Sequence, residues 1–68
     1  MNPTPAQLAY IAALLCQLRL RIREALYLAQ LHIQIEDLWM LQHRDAVILI
    51  HALEQIKRKL GYPQIHLG

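Results

Sequence analysis

Four histidines, one cysteine and one adjacent acidic pair are the residues through which this chain could do chemistry. The histidines are His32, His43, His51 and His66; His32 and Glu36, four residues apart, would share a helical face as two kinds of ligand. Zinc needs three or four converging ligands, and the chain has neither a cysteine pair nor a His-x-x-x-His spacing. No metal and no cofactor is therefore expected: His32 is read as partly filling the inner helical stripe, and the other three as surface residues. Glu36-Asp37 could serve acid–base chemistry only inside a pocket that tunes one carboxyl against the other. At a helix start the same pair simply favours the positive end of the dipole, which is the reading preferred here. Cys16 would need a basic neighbour to become a nucleophile, and among Ala12, Ala13, Arg19 and Leu20 at helical spacing only Arg19 qualifies. With glycine confined to Gly61 and Gly68, a phosphate-cradling loop is excluded. The expectation is a non-enzymatic protein with no catalytic residue.

The basic residues form a second pattern. Arg44, His51 and Arg58 recur every seven residues with Gln55 nearby, and Arg19 and Arg23 lie four apart with Gln30 one heptad after Arg23. Two such stripes could straddle a phosphate backbone, each contact being sequence-independent and salt-sensitive. Arg19, Arg23, Arg44 and Arg58 are thus the residues of an alternative, nucleic-acid-binding function. The competing reading is an ordinary solvated helix face, and a net charge of +2 with a pI near 9.0 suits both.

The elements that must position these residues are helical. From Ala6 to Leu60 there is no Gly and no Pro, and Leu8, Ile11, Leu15, Leu18, Ile22, Leu26, Ala29 and Ile33 follow one another at steps of three or four. Thr4-Pro5-Ala6-Gln7 is a helix start with a capping threonine, proline at the first position and glutamine completing the capping box. Residues 5–34 read as one long helix, or as two with a break near residues 18–21; the stripe keeps its phase there, which favours continuity or a mild kink. A turn or short helix over 35–42 returns the chain. A closing helix over 43–60 presents Ala46, Leu49, Ile50, Leu53, Ile56 and Leu60 inward, with Lys57, Arg58 and Lys59 in its last turn and Gly61 as its stop. The tail, 61–68, reads as extended, with Ile65 and Leu67 docking on the bundle. The fold class is all-α: an antiparallel helical hairpin or a compact three-helix domain, completed as a helical bundle by self-association.

Self-association is expected from a mismatch of size and composition. The chain has 68 residues, 56% of them hydrophobic and 18% charged, and a domain this small cannot shelter so much apolar area by itself. Tyr10 with Ala9, Ala13 and Gln17 forms an uncharged second face, Tyr27, Leu28 and Leu31 point away from the stripe, and Val47, Ile48 and Ala52 lie off the closing helix's inner face. Tyr10, Tyr27, Leu28, Leu31 and Ile48 are the candidate partner-binding residues, the partner being a second copy (a homodimer) or another protein. The first eighteen residues carry no charged side chain, but their apolar part, Leu8–Leu18, has eleven residues, short of the roughly 20 that span a bilayer. Pro3, Thr4, Pro5 and Gln7 stand where a signal peptide carries Lys or Arg. No membrane span is expected, and the lone Cys16 suits a reducing, cytoplasmic setting.

Two segments resemble a small helical domain of the Gem regulator family of Mu-like phages. Thr4-Pro5-Ala6-Gln7-Leu8-Ala9-Tyr10-Ile11-Ala12-Ala13-Leu14 is similar to that family's Thr-Pro-x-Gln start and the Ile and Leu that follow it. Leu41-Gln42-His43-Arg44-Asp45-Ala46-Val47-Ile48-Leu49-Ile50-His51-Ala52-Leu53 resembles its Leu-Thr-x-x-Glu-Ala-Ser-x-Leu-Ile-x-x-Leu helix. Together they cover about a third of the chain. Gln42 stands in place of the capping Thr, Leu18–Ile22 lacks the usual Leu-Gly break, and the middle is more apolar. The resemblance implies a mobile-element protein acting near DNA or its machinery, with no catalytic residue carried over.

Overall fold

Helix α1, Pro5–Leu18, starts where its sequence says it should. The structure, a computed structural model, describes residues 1–63. The Thr4 hydroxyl accepts the Gln7 N–H at 3.1 Å while Gln7 Oε1 accepts the Thr4 N–H at 2.9 Å, so two otherwise orphaned donors are satisfied reciprocally.

Of the two readings of residues 5–34, the structure takes the one broken near residues 18–21: the favoured continuous helix stops at Arg19, and the second helix ends at Leu28, short of residue 34. Arg19 takes a left-handed conformation (φ 56°), and the Leu20 N–H reaches back to the Leu15 carbonyl at 2.9 Å with Arg19 N–H on Cys16 at 3.3 Å. Helix α2, Ile22–Leu28, opens with Glu24 Oε1 accepting the Arg21 N–H at 2.9 Å; an arginine side chain has no acceptor with which to return the bond. It closes in the same way as α1: Gln30 is left-handed (φ 60°), Leu31 N–H bonds the Leu26 carbonyl at 2.9 Å and Gln30 N–H that of Tyr27 at 3.0 Å. Both ends carry the paired six-to-one and five-to-two bonds that glycine usually terminates, here without glycine. The physical reason is burial. An unbroken helix over 5–34 would be about 45 Å long, whereas the molecule's greatest extent is 30 Å. Folding at the two corners lets Leu20 and Leu31 pack on a core that already holds Leu15 and Leu26.

From Leu31 to Ile35 the chain has no regular secondary structure, and after a single 3₁₀ turn, Leu38–Met40, it enters α3, His43–Leu60. The first amide of α3 is capped from a distance: Gln42 offers no side-chain bond, and the His43 N–H is taken by the Met1 carbonyl at 2.9 Å. Because Gln7 Oε1 already accepts from the Thr4 N–H, it is an oxygen, so His43 Nδ1, 3.1 Å away, must carry the proton and donate. The starts of α1 and α3 are thereby tied together. Gly61 (φ 75°) ends α3, with Tyr62 N–H on the Lys57 carbonyl and Gly61 N–H on that of Arg58, both at 3.1 Å.

The core unites Ile11, Leu14 and Leu15 of α1, Ala25 and Leu26 of α2, Leu41, and Ala46, Leu49 and Leu53 of α3. Each fully buried leucine or isoleucine contributes roughly 1.5–3 kcal/mol. The expected inner face of α3 needs one correction at its end: Leu60 is 63% exposed, and Lys57 is the residue that is 2% exposed. Lys57 lies four residues beyond Leu53 and so continues the buried row, while Leu60 falls past the reach of the other helices. The Lys57 charge is not left without a partner. His32, expected on the inner stripe, is exposed, because the chain is no longer helical there. The expected docking of Ile65 and Leu67 lies outside the described residues. The fold is thus an all-α, three-helix domain, with no strand among the described residues. Its radius of gyration of 11.1 Å matches the roughly 11 Å of a compact chain this long.

Candidate interaction surface

The molecule is a slab, 30 × 27 × 16 Å, and a slab this thin leaves broad faces without a second layer.

An open groove lies between α2 and the segment that follows it, and Tyr27, Leu28 and Met40 among the exposed large apolar residues line it. Tyr27 and Leu28 from the end of α2, Leu31, Ile33 and Ile35 from the irregular segment, and Met40 from the 3₁₀ turn line it. Tyr27 is 82% exposed and Leu28 49%, because the corner at Gln30 ends α2 before a further turn could cover them. Leu31, Ile33 and Ile35 are half-buried against the core and form the floor. Trp39, next to Met40 in the same turn, is 69% exposed. An exposed ion pair, Arg23 Nη2 to Glu36 Oε1 at 3.2 Å, bridges the two banks.

The sequence-derived partner residues divide accordingly. Tyr27, Leu28 and Leu31 come together at the groove. Ile48 does not; it is partly exposed on the outer side of α3, next to Val47. Tyr10 is used within the fold: its hydroxyl donates to Glu54 Oε2 at 2.7 Å across the α1–α3 seam. That bond, with burial and the carboxylate charge adding to it and Arg58 opposing, holds the Tyr10 phenol above its ordinary value of 10.0. Met40 and Trp39 were missed, since an apolar residue in a short connecting segment has no periodicity to mark it.

The four arginines of the alternative function also separate. Arg19 occupies the first corner and Arg23 is paired with Glu36. Arg44 and Arg58 remain exposed on α3, on a solvent face shared with Val47, Ile48, His51, Gln55 and Lys59 and holding no acidic residue. Among the described residues no group of three His, Cys, Asp or Glu side chains could hold a metal ion, and no helix is long and apolar enough to cross a membrane. Comparison with protein-family models, with curated proteins and with solved structures finds no match to this chain. What the fold and surface define is a class: a three-helix domain with an open apolar groove.

Proposed function

We propose that this chain is a non-enzymatic interaction protein, a regulator or accessory factor that works by associating with a second copy of itself through the groove. The observation that carries the reading is the juxtaposition of Tyr27, Leu28 and Met40, all exposed, over a floor of half-buried Leu31, Ile33 and Ile35. An apolar cluster of this kind on a thin domain marks a surface meant to be covered. The rim supports a second copy over an unrelated partner, because it carries both signs of charge, Arg23 against Glu36 and Asp37. A patch that meets itself across a two-fold axis must be self-complementary in that way. A cytoplasmic setting fits the exposed Cys16.

The test is molar mass in solution across a dilution series, for the natural chain and for Tyr27→Glu with Leu28→Glu. The natural chain is expected to pass from dimer to monomer, and the double variant to be monomeric with unchanged helix content. A natural chain that is monomeric at every concentration and binds no hydrophobic dye refutes the reading.

One observation favours a second reading, in which a nucleic acid is the partner. The acid-free face of α3 sets Arg44 and Arg58 about 21 Å apart along one helix, with His51, Gln55 and Lys59 exposed beside them. Retention on duplex DNA that falls steeply with salt, and is lost in Arg44→Gln with Arg58→Gln, supports it; no retention even at low salt removes it.

A further inference from the structure

The segment that floors the groove has the properties of an edge strand without a neighbour. Burial alternates residue by residue: Leu31, Ile33 and Ile35 are half-buried, while His32, Gln34 and Glu36, the last at the bend that ends the run, are exposed. A period of two is that of an extended chain, not of a helix. The last backbone bond before it is Leu31 N–H to Leu26, and the first after it is Met40 N–H to Asp37. Between them, the backbone N–H and C=O groups of His32 to Glu36 bond no other backbone group among the described residues. A row of free donors and acceptors over an apolar floor is a template for another strand.

We infer that residues 32–36 pair with the same residues of a second copy, as an antiparallel two-stranded ribbon laid in the groove. This rests on the self-association proposed above and names its contact. The choice of a second copy follows from the register the side chains allow. Centring the ribbon on Gln34 sets Gln34 opposite Gln34, Ile33 opposite Ile35, and His32 opposite Glu36 of the other copy. Each face then meets its own kind: amide against amide and imidazole against carboxylate outside, isoleucine against isoleucine on the floor. Direct cross-strand pairs of this sort are the stabilising unit of an antiparallel ladder, and like charges there oppose it. A two-stranded ribbon is marginal alone in water, and the rim residues Tyr27 and Leu28 supply the apolar surface that a lone hairpin lacks.

The experiment measures dimer dissociation and backbone amide exchange on the full chain. Amides of residues 33–36 are expected to exchange freely in the dilute monomer and to gain protection in step with dimer formation. His32→Glu sets two carboxylates opposite each other twice per dimer and is expected to weaken dimerisation about tenfold. Adding Glu36→Lys, in an Arg23→Gln background that removes the arginine the new lysine would face, makes both pairs opposite in charge and should return the dissociation constant to within about threefold of that of Arg23→Gln alone. A dimer whose 33–36 amides stay unprotected, or in which the second substitution does not rescue the first, overturns the ribbon while leaving self-association standing. Protection confined to the α3 face has the same meaning. A chain that never dimerises removes both.

Discussion

Arg19→Gly is expected to stabilise this protein by about 0.5–1 kcal/mol. Arg19 sits at φ 56° and ψ 44°, a left-handed conformation that costs a residue with a Cβ about 1–2 kcal/mol. Glycine pays no such cost but loses more freedom on folding, which returns about 0.5–1 kcal/mol. Nothing else is lost with the side chain: Arg19 is exposed and makes no hydrogen bond or ion pair through it with a described residue. Urea unfolding at one fixed protein concentration gives the difference, with an unchanged slope as the check that only stability moved. In a domain of this size the gain corresponds to a rise of about 2–8 °C in Tm. Arg19→Ala is the control, since it removes the guanidinium but keeps the Cβ. If the glycine variant is no more stable than the alanine variant, the corner does not store the strain assigned to it.

Other outcomes follow from single contacts. Gly61→Ala should cost about 1 kcal/mol of stability by chemical denaturation; a Cβ there meets nothing within 4 Å, so the loss would be backbone strain alone at φ +75°. Tyr10→Phe removes the 2.7 Å bond to Glu54 and should cost about 1 kcal/mol near neutral pH. Because the folded phenol is held above 10.0, its contribution is complete below that pH and is lost as pH rises through the raised value. The natural chain should therefore weaken at alkaline pH by a margin that Tyr10→Phe lacks, read from unfolding midpoints across pH. Thr4→Ala breaks the capping box and should cost about 1 kcal/mol, measured in the same way.

The start of α1 and the end of α3 were legible because each is written in residues with one physical use, a threonine–glutamine box and a glycine stop. Of the two middle corners, the first was legible only as the less favoured alternative, a break near residues 18–21, and the second not at all, since Arg19 and Gln30 are ordinary helix formers and the apolar phase runs on through them. A signal was nevertheless present. Leu15 and Leu20, and again Leu26 and Leu31, are five apart, the spacing at which a leucine just past a left-handed residue folds back towards the final turn. The alternation Leu31-His32-Ile33-Gln34-Ile35 is equally visible, but lies where both readings of the first segment carry helix on to residue 34. Of the candidate surface, Tyr27, Leu28 and Leu31 could be read from helical phase. Tyr10 could not be withdrawn from it, because its partner Glu54 is distant in sequence and is brought near only by the packing of α1 on α3.

Helix α2 has seven residues, well under the roughly 12–15 at which an isolated helix becomes even marginal in water. It persists only while Ala25 and Leu26 are held by the core, between corners that each store strain. The proposed docking rim therefore rides on the part of the chain expected to open first, and apparent affinity is reduced by whatever fraction of molecules is open at a given moment. Glycine at the Arg19 corner, which is not part of the groove, would tighten association without touching the partner, by keeping the competent form populated.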